Sequence, residues 1–73
     1  MIEGTIQNKI RSLRFLANEM TQQELADKVD VTRQTINAVE AAKYSPSLEL
    51  AFKIAFVFNT SLEDVFQFDI THP

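Results

Sequence analysis

Residues 21–43 read TQQELADKVDVTRQTINAVEAAK, and this stretch predicts two short helices, each with a threonine cap. Thr21 precedes Glu24 by three residues, which is the spacing of a capping box that satisfies N–H groups at a helix start. Thr32 is the second cap. Apolar residues recur at helical spacing after both caps, at Leu25, Ala26 and Val29 and then at Ile36 and Val39. The stretch therefore predicts two amphipathic helices of about two turns each.

The connection between these helices consists only of Asp30 and Val31. So short a turn requires the helices to cross at a steep angle, with Val31 in the corner. This is the helix-turn-helix arrangement, whose second helix can enter the major groove of DNA. We expect the motif to span residues 22–41 of a single domain that covers residues 1–73.

The outward side of the second helix carries residue types that can bind bases. At about 100° per residue, Gln34 and Asn37 point away from the apolar side, and Arg33 lies on the flank. Arg can bind guanine through two hydrogen bonds, Gln and Asn can bind adenine in the same way, and the methyl group of Thr can contact thymine. A solvated helix surface is also polar, so this side alone favours base recognition and simple solvation about equally.

The longer run from Met20 to Ala55 resembles the Cro/C1-type (phage-repressor-like) helix-turn-helix family, and especially its short stand-alone regulators. The resemblance extends from about Asn8 to Phe66. It implies an all-α, five-helix domain that binds double-stranded DNA sequence-specifically and regulates transcription as a homodimeric repressor. No cofactor and no catalytic activity are implied.

The resemblance also assigns roles to individual residues. Base contacts are expected from Arg33, Gln34, Thr35 and Asn37. Phosphate contacts are expected from Gln22, Thr32, Lys43 and Tyr44. Arg14 and Glu40 occupy positions where many members of the family have an ion pair between helices.

The chain departs from the family in its glycines, since it has only one, Gly4. Asn18, Asp30, Ala42 and Asn59 stand where the family commonly has glycine at helix ends. Asn and Asp tolerate the left-handed backbone conformation, whereas at Ala42 it costs about 1 kcal/mol. The connection from Phe15 to Met20 is also one residue longer than in the commonest members.

Size and composition exclude several classes of protein. The chain has 73 residues and no cysteine, and its one histidine, His72, is isolated, so neither a disulfide nor a metal site is expected. No apolar run approaches the ~20 residues of a membrane span, and no signal peptide is evident, so we expect a cytoplasmic protein. An enzyme is not expected, because no His or Cys lies near the Ser, Thr and acidic residues.

The net charge of −3 at first disfavours a nucleic-acid partner, but the charge is unevenly distributed. Residues 1–44 hold six basic and six acidic side chains, whereas the remainder holds Lys53 and four acidic residues. The excess acid therefore lies in the half expected to face away from DNA. We expect few phosphate contacts and a correspondingly shallow dependence of affinity on salt.

Both termini alternate apolar and polar residues, with apolar Ile2 and Ile6 at the start and Phe66, Phe68 and Ile70 at the end. This period predicts short strands that can pair as a two-stranded antiparallel ribbon, and frayed tails are the alternative. Helix one is expected to begin at Asn8, with Ile10, Leu13 and either Leu16 or Ala17 on its inner side.

The segment after Ser47 predicts a fourth helix whose polar stripe is narrow. Phe52 and Phe56 lie beside this stripe, and a last short helix after Ser61 includes Phe66. Exposed aromatic pairs commonly mark a partner surface. We therefore expect an isologous homodimer built on residues 48–70, with Phe52, Phe56 and Phe66 in its interface. Coverage of these rings by another part of the same chain is the alternative.

A two-fold dimer of this fold places its recognition helices about one DNA turn apart, ~34 Å, so the target is expected to be a short inverted repeat. The alternative function is an antitoxin-like protein that binds DNA and also a protein partner. Control is expected through expression level, a protein partner or a small effector.

Overall fold

The computed structural model describes residues 2–71, and this part of the chain forms five helices and two strands. In chain order the elements are β1 (Gly4–Asn8), α1 (Ile10–Leu16), α2 (Gln22–Val29), α3 (Arg33–Glu40), α4 (Leu48–Val57), α5 (Leu62–Val65) and β2 (Phe66–Ile70). No helix within residues 2–71 is long and apolar enough to cross a membrane. The expectation for His72 lies outside the described residues.

Hydroxyl side chains set the starts of four helices. Thr21 forms both halves of a capping box, because its Oγ1 accepts from Glu24 N at 3.0 Å and Glu24 Oε1 accepts from Thr21 N at 2.8 Å. Thr32 caps α3 by accepting from Thr35 N at 3.2 Å. Ser47 and Ser61 cap α4 and α5 in the same way. These bonds are local in sequence, and all four predicted caps are confirmed.

Left-handed residues end the helices at the positions where the family has glycine. Asn18, Asp30, Ala42 and Asn59 have φ angles of 63°, 65°, 59° and 54°. Glu19 follows Asn18 with a φ of 56°, so the longer connection between α1 and α2 contains two left-handed residues in succession. Ala42 therefore has the strained conformation that its position in the family implies.

The hydrophobic core takes one side of every helix. Its largest fully buried side chains are Ile10, Leu25, Val29, Ile36, Val39, Ile54 and Val65. Val31, in the turn between α2 and α3, packs against them. Because α3 contributes Ile36 and Val39, its inner side is fixed and its outer side is left to solvent.

The two strands pair antiparallel, with Gly4 opposite Ile70 and Ile6 opposite Phe68. Opposed residues share a face of a ribbon, so one face is mainly apolar and the other carries Thr5, Gln7, Gln67 and Asp69. The ribbon is confirmed, and all-α is consequently too narrow a description of a helical domain with a small sheet.

Two predicted positions are wrong at the ends of elements. Asn8 ends β1 instead of opening α1, although its Oδ1 accepts from Ile10 N at 3.1 Å and so satisfies an N–H of the first turn. Phe66 lies outside α5. Its N–H donates to Leu62 O at the end of the helix, but its backbone is extended and begins β2. Of the two alternatives for the inner side of α1, Leu16 is exposed and Ala17 is half-buried, and Leu13 packs against the core as predicted.

Candidate nucleic-acid interface

The outer side of α3 presents three polar side chains to solvent. Arg33, Gln34 and Asn37 are exposed, whereas Ile36 and Val39 on the opposite side are buried. Within residues 2–71, the side chains of Arg33, Gln34 and Asn37 form no hydrogen bond or ion pair. Their donors and acceptors are therefore available to a ligand without breaking a contact inside this part of the protein.

The two threonines at the start of α3 differ from these residues. Thr35 is half-buried, and its Oγ1 lies 3.0 Å from Oγ1 of Thr32. Thr32 Oγ1 also accepts the backbone N–H of Thr35. Both hydroxyls thus take part at the start of the helix, and the one that accepts in their mutual bond keeps its O–H free for a further group.

The C-terminal end of α3 is fixed to α1 and α2 through Glu40. Its Oε2 accepts from Nε of Arg14 at 2.6 Å and its Oε1 accepts from Nη2 at 3.0 Å, a bidentate geometry. Arg14 also donates to Met20 O at 2.8 Å. Gln22 donates its Nε2 to Glu40 Oε1 at 3.2 Å, so the side chain expected on a phosphate is already engaged within the protein.

Asn8 provides a second attachment of α3 that the sequence did not suggest. Its Nδ2 donates to Val39 O at 3.0 Å and to Glu40 O at 3.3 Å. These carbonyls are among those that a helix C-terminus leaves without intrahelical partners. The side chain of Asn8 thus joins the end of α3 to the ribbon.

The loop after α3 places two exposed residues beside the helix end. Lys43 N donates to Ala38 O at 2.9 Å and Ala42 N donates to Val39 O at 3.1 Å, so the chain turns sharply at Ala42. Lys43 and Tyr44 are exposed directly after this turn. They are therefore within a few residues of α3 while their side chains remain accessible.

The start of α3 has no acidic residue in its first turn, a feature that it shares with α1 but not with the other three helices. Helices α2, α4 and α5 have acidic residues in their first turns, whereas α3 begins with Arg33 and has none there. A helix N-terminus carries a partial positive charge, which a first-turn carboxylate would offset. In α3 this positive end and the guanidinium reinforce each other, which suits an anionic ligand.

The three residues expected in a dimer interface do not form one surface. Phe52 and Phe56 line an open groove between α4 and the C-terminal end of α2, together with Asp27, Lys28 and Asp30. Phe66 is half-buried and lines grooves on the ribbon side of the molecule. The separation arises because α5 ends before Phe66, whose side chain then follows the register of β2.

A capped α2, a three-residue connection that ends with the cap residue Thr32, and an α3 with a polar outer side define a helix-turn-helix protein. A family model described as helix-turn-helix matches residues 10–65, most of the chain. The chain belongs to this family, which confirms the resemblance.

Relatives with similar sequences come from archaea and from a bacterium. An uncharacterised HTH-type transcriptional regulator of Methanocaldococcus jannaschii is 50% identical over 64 residues, 88% of this chain and 96% of that protein. A protein of the same description from Archaeoglobus fulgidus is 62% identical over 50 residues, 68% of this chain and 71% of its own. The uncharacterised HTH-type transcriptional regulator YgzD of Bacillus subtilis is 44% identical over 61 residues, 84% of this chain and 91% of its own.

Proposed function

We propose that this protein is a sequence-specific, double-stranded DNA-binding regulator of transcription, acting as a homodimeric repressor on a short inverted repeat. The main support for this proposal is the outer side of α3. There Arg33, Gln34 and Asn37 are exposed, and their side chains form no hydrogen bond or ion pair within the described part of the chain. These side chains offer the donors and acceptors that match purine edges in the major groove. The family and the names of its relatives support DNA binding and regulation of transcription.

Phosphate contacts in this proposal come from both ends of the motif. Lys43 and Tyr44 supply a cation and a hydroxyl next to the C-terminal end of α3. At the other end, Gln22 and Thr32 lie at the starts of α2 and α3. The Gln22 side chain bonds to Glu40 and the Thr32 hydroxyl caps its helix, so we expect both residues to contact phosphate through these helix N-termini. Thr35 joins Arg33, Gln34 and Asn37 in contacting bases.

A rigid recognition helix favours base reading over loose electrostatic attachment. The inner side of α3 is buried, its end is fixed by Glu40 and Asn8, and its one basic and one acidic residue leave it without net charge. Since a single protomer makes few ionic contacts, we expect tight binding to require two protomers on two half-sites. This requirement is the reason for proposing a homodimer, with residues 48–70 supplying most of the interface.

Selection of bound duplexes from a random pool tests the function directly. The expected result is enrichment of one motif with two-fold symmetry, its half-sites centred about one helical turn apart, ~34 Å. The matched control is a Gln34→Ala/Asn37→Ala double variant, which should fold normally and enrich a weaker or different motif. Failure of the unmodified protein to enrich any motif would rule out sequence-specific binding.

The direction of regulation requires a separate measurement. The enriched site is placed across a promoter, and transcript yield is measured in vitro with and without the protein. We expect lower yield, since occupancy of the site blocks the polymerase. Higher yield from the same template would make the protein an activator while leaving DNA binding intact.

A further inference from the structure

The ribbon and the start of α4 together form an exposed apolar surface, which we call the ribbon face. Leu48, Phe68 and Ile70 are 67%, 51% and 63% exposed, respectively. Half-buried residues connect them to the core, and the full set is Ile6, Leu48, Leu62, Phe66, Phe68 and Ile70. Exposed apolar surface of this kind in a small soluble domain commonly marks an interaction site.

Phe68 packs against Gly4 on this face, where the absence of a side chain leaves space for its ring. A Cβ built on Gly4 would lie 2.7 Å from Cζ of Phe68 and 2.5 Å from the carbonyl oxygen of Asp69. The ring therefore lies across the backbone of β1 while half of its surface remains in solvent. An aromatic ring that already packs on one side has few rotamers to lose on binding, and aromatic residues commonly dominate interfaces.

The ribbon face is also concave, so it can receive protruding side chains. A groove of about 290 Å³ is lined mainly by apolar residues of the ribbon, α4 and α5, among them Ile6, Leu48 and Leu62. A second groove, of about 300 Å³, lies between the ribbon and the loop after α3 and includes Phe68 and Tyr44. In a two-fold contact the same surface of each copy supplies both the protruding rings and the grooves that receive them.

Charge indicates which partner suits this surface. The ribbon face contains no charged residue, because Asp69 is on the opposite face of the ribbon. The groove at Phe52 and Phe56, in contrast, is lined by Asp27, Lys28, Asp30, Glu49 and Lys53. Two copies of a chain with a net charge of −3 repel each other, and an uncharged contact avoids placing like charges directly opposite.

The position of the ribbon face relative to α3 points to the same partner. The groove of about 300 Å³ is bounded on one side by Val39 of α3 and by Ala42. No residue of α3 lines the groove at Phe52 and Phe56. A two-fold axis through the ribbon face would therefore pass near the ends of both α3 helices. This arrangement is needed if the two helices are to enter adjacent turns of the major groove on one side of a duplex.

We propose that the ribbon face is the surface through which a second copy of this chain binds, and that Phe52 and Phe56 lie outside the dimer interface. This inference rests on the proposed function for the requirement that two α3 helices face one duplex. It moves the interface from the middle of α4 to the ribbon, the first residue of α4 and the first residue of α5. Of the three aromatic residues expected from the sequence, only Phe66 then contributes.

Sedimentation velocity of the full chain over a range of concentrations tests the interface without DNA. The two disrupting variants are Phe68→Glu and Leu48→Glu, and the matched control is Phe56→Glu at a ring that is 86% exposed. Leu48→Glu is included because Phe68→Glu can also disturb the ribbon. Leu48 is the first residue of α4, where a carboxylate favours the helix, so this variant should keep its fold. Circular dichroism and thermal unfolding check each variant.

We expect the unmodified protein and Phe56→Glu to sediment as dimers. Leu48→Glu and Phe68→Glu should raise the dimer dissociation constant by at least about 30-fold with helix content unchanged. A folded Leu48→Glu variant that remains as dimeric as the unmodified protein would overturn the proposal, and so would loss of the dimer in Phe56→Glu.

The two proposals fail in different ways. A symmetric motif enriched by a protein whose Leu48→Glu variant is still dimeric would leave the function standing and the interface wrong. A dimer that dissociates on Leu48→Glu, with no motif enriched, would leave the interface standing and the function wrong. An unmodified protein that is monomeric at every concentration would refute both the ribbon interface and the homodimer.

Discussion

Arg14 of α1 and Glu40 of α3 form a bidentate ion pair, with Nε and Oε2 2.6 Å apart and side chains only 15% and 10% exposed. Glu40 is the last residue of α3, so this pair fixes the end of the helix whose outer side is proposed to contact DNA. Gln22 adds a third hydrogen bond to the same carboxylate from α2. One carboxylate thus joins three helices.

Replacing either partner of this pair should destabilise the protein. Glu40→Ala leaves a poorly solvated guanidinium and a Gln22 amide without their acceptor, and we expect a loss of about 1 to 3 kcal/mol in the free energy of unfolding. Denaturant unfolding at fixed protein concentration measures it. The double variant Arg14→Ala/Glu40→Ala should lose less than the sum of the single losses. Additive losses would indicate that the pair contributes no coupling energy.

Ala42 should gain stability when its side chain is removed. Its φ is 59°, a conformation in which glycine is unstrained, so Ala42→Gly is expected to raise the free energy of unfolding by about 0.4 to 1 kcal/mol. The preceding residue gives a matched control, since Ala41 has a φ of −79° and Ala41→Gly should destabilise. A lower melting temperature for Ala42→Gly would show that the loop is not left-handed in solution.

The helices could be predicted because their signals are local. Each capping hydroxyl bonds to an N–H three residues later, so both partners of the bond lie close together in the sequence; these hydroxyls belong to Thr21, Thr32, Ser47 and Ser61. Apolar residues at helical spacing then identify the inner side. The family resemblance added the left-handed positions, including Ala42, which composition and spacing alone do not reveal.

The parts that could not be predicted depend on contacts between distant residues. Asn8 bonds to carbonyls of residues 39 and 40, and nothing near it in the chain identifies those partners. The space that Gly4 leaves for Phe68 requires the register of the ribbon, which links the two ends of the chain. For the same reason Phe66 was placed with Phe52 and Phe56, although strand pairing directs it to another surface.

Gly4 is predicted to be intolerant of even the smallest side chain. The Cβ of Gly4→Ala would approach the backbone oxygen of Asp69 to 2.5 Å, so the strands must separate or Phe68 must leave its position. We expect a loss of about 1 to 3 kcal/mol, measured by thermal unfolding, and faster hydrogen exchange of the ribbon amides. Thr5→Ala, on the polar face beside it, should change stability by less than about 0.5 kcal/mol. Equal protection of the ribbon amides from hydrogen exchange in Gly4→Ala and Thr5→Ala would contradict this account.

Arg33 gives the most direct test of base recognition, because its side chain is exposed and removing it should not affect folding. Arg33→Ala is expected to weaken binding to the selected duplex by about 1 to 3 kcal/mol and to relax sequence preference at one base pair. Fluorescence anisotropy with the selected duplex and a scrambled duplex of equal length measures both effects.

The matched control for charge is Lys53→Ala, which removes one positive charge from α4, where Lys53 pairs with Glu49 at 3.1 Å. This variant should fold normally, since exposed helix ion pairs contribute little to stability. Lys53 is not among the proposed DNA contacts, so the affinity for the selected duplex should stay within about twofold of that of the unmodified protein. If Arg33 reads a base, the loss of affinity in Arg33→Ala must fall mainly on the selected duplex, because a scrambled duplex does not place a guanine in register with the other contacts of α3. Equal losses on the selected and scrambled duplexes would instead mean that the guanidinium contacts only the phosphate backbone, and sequence preference would then have to come from Gln34 and Asn37.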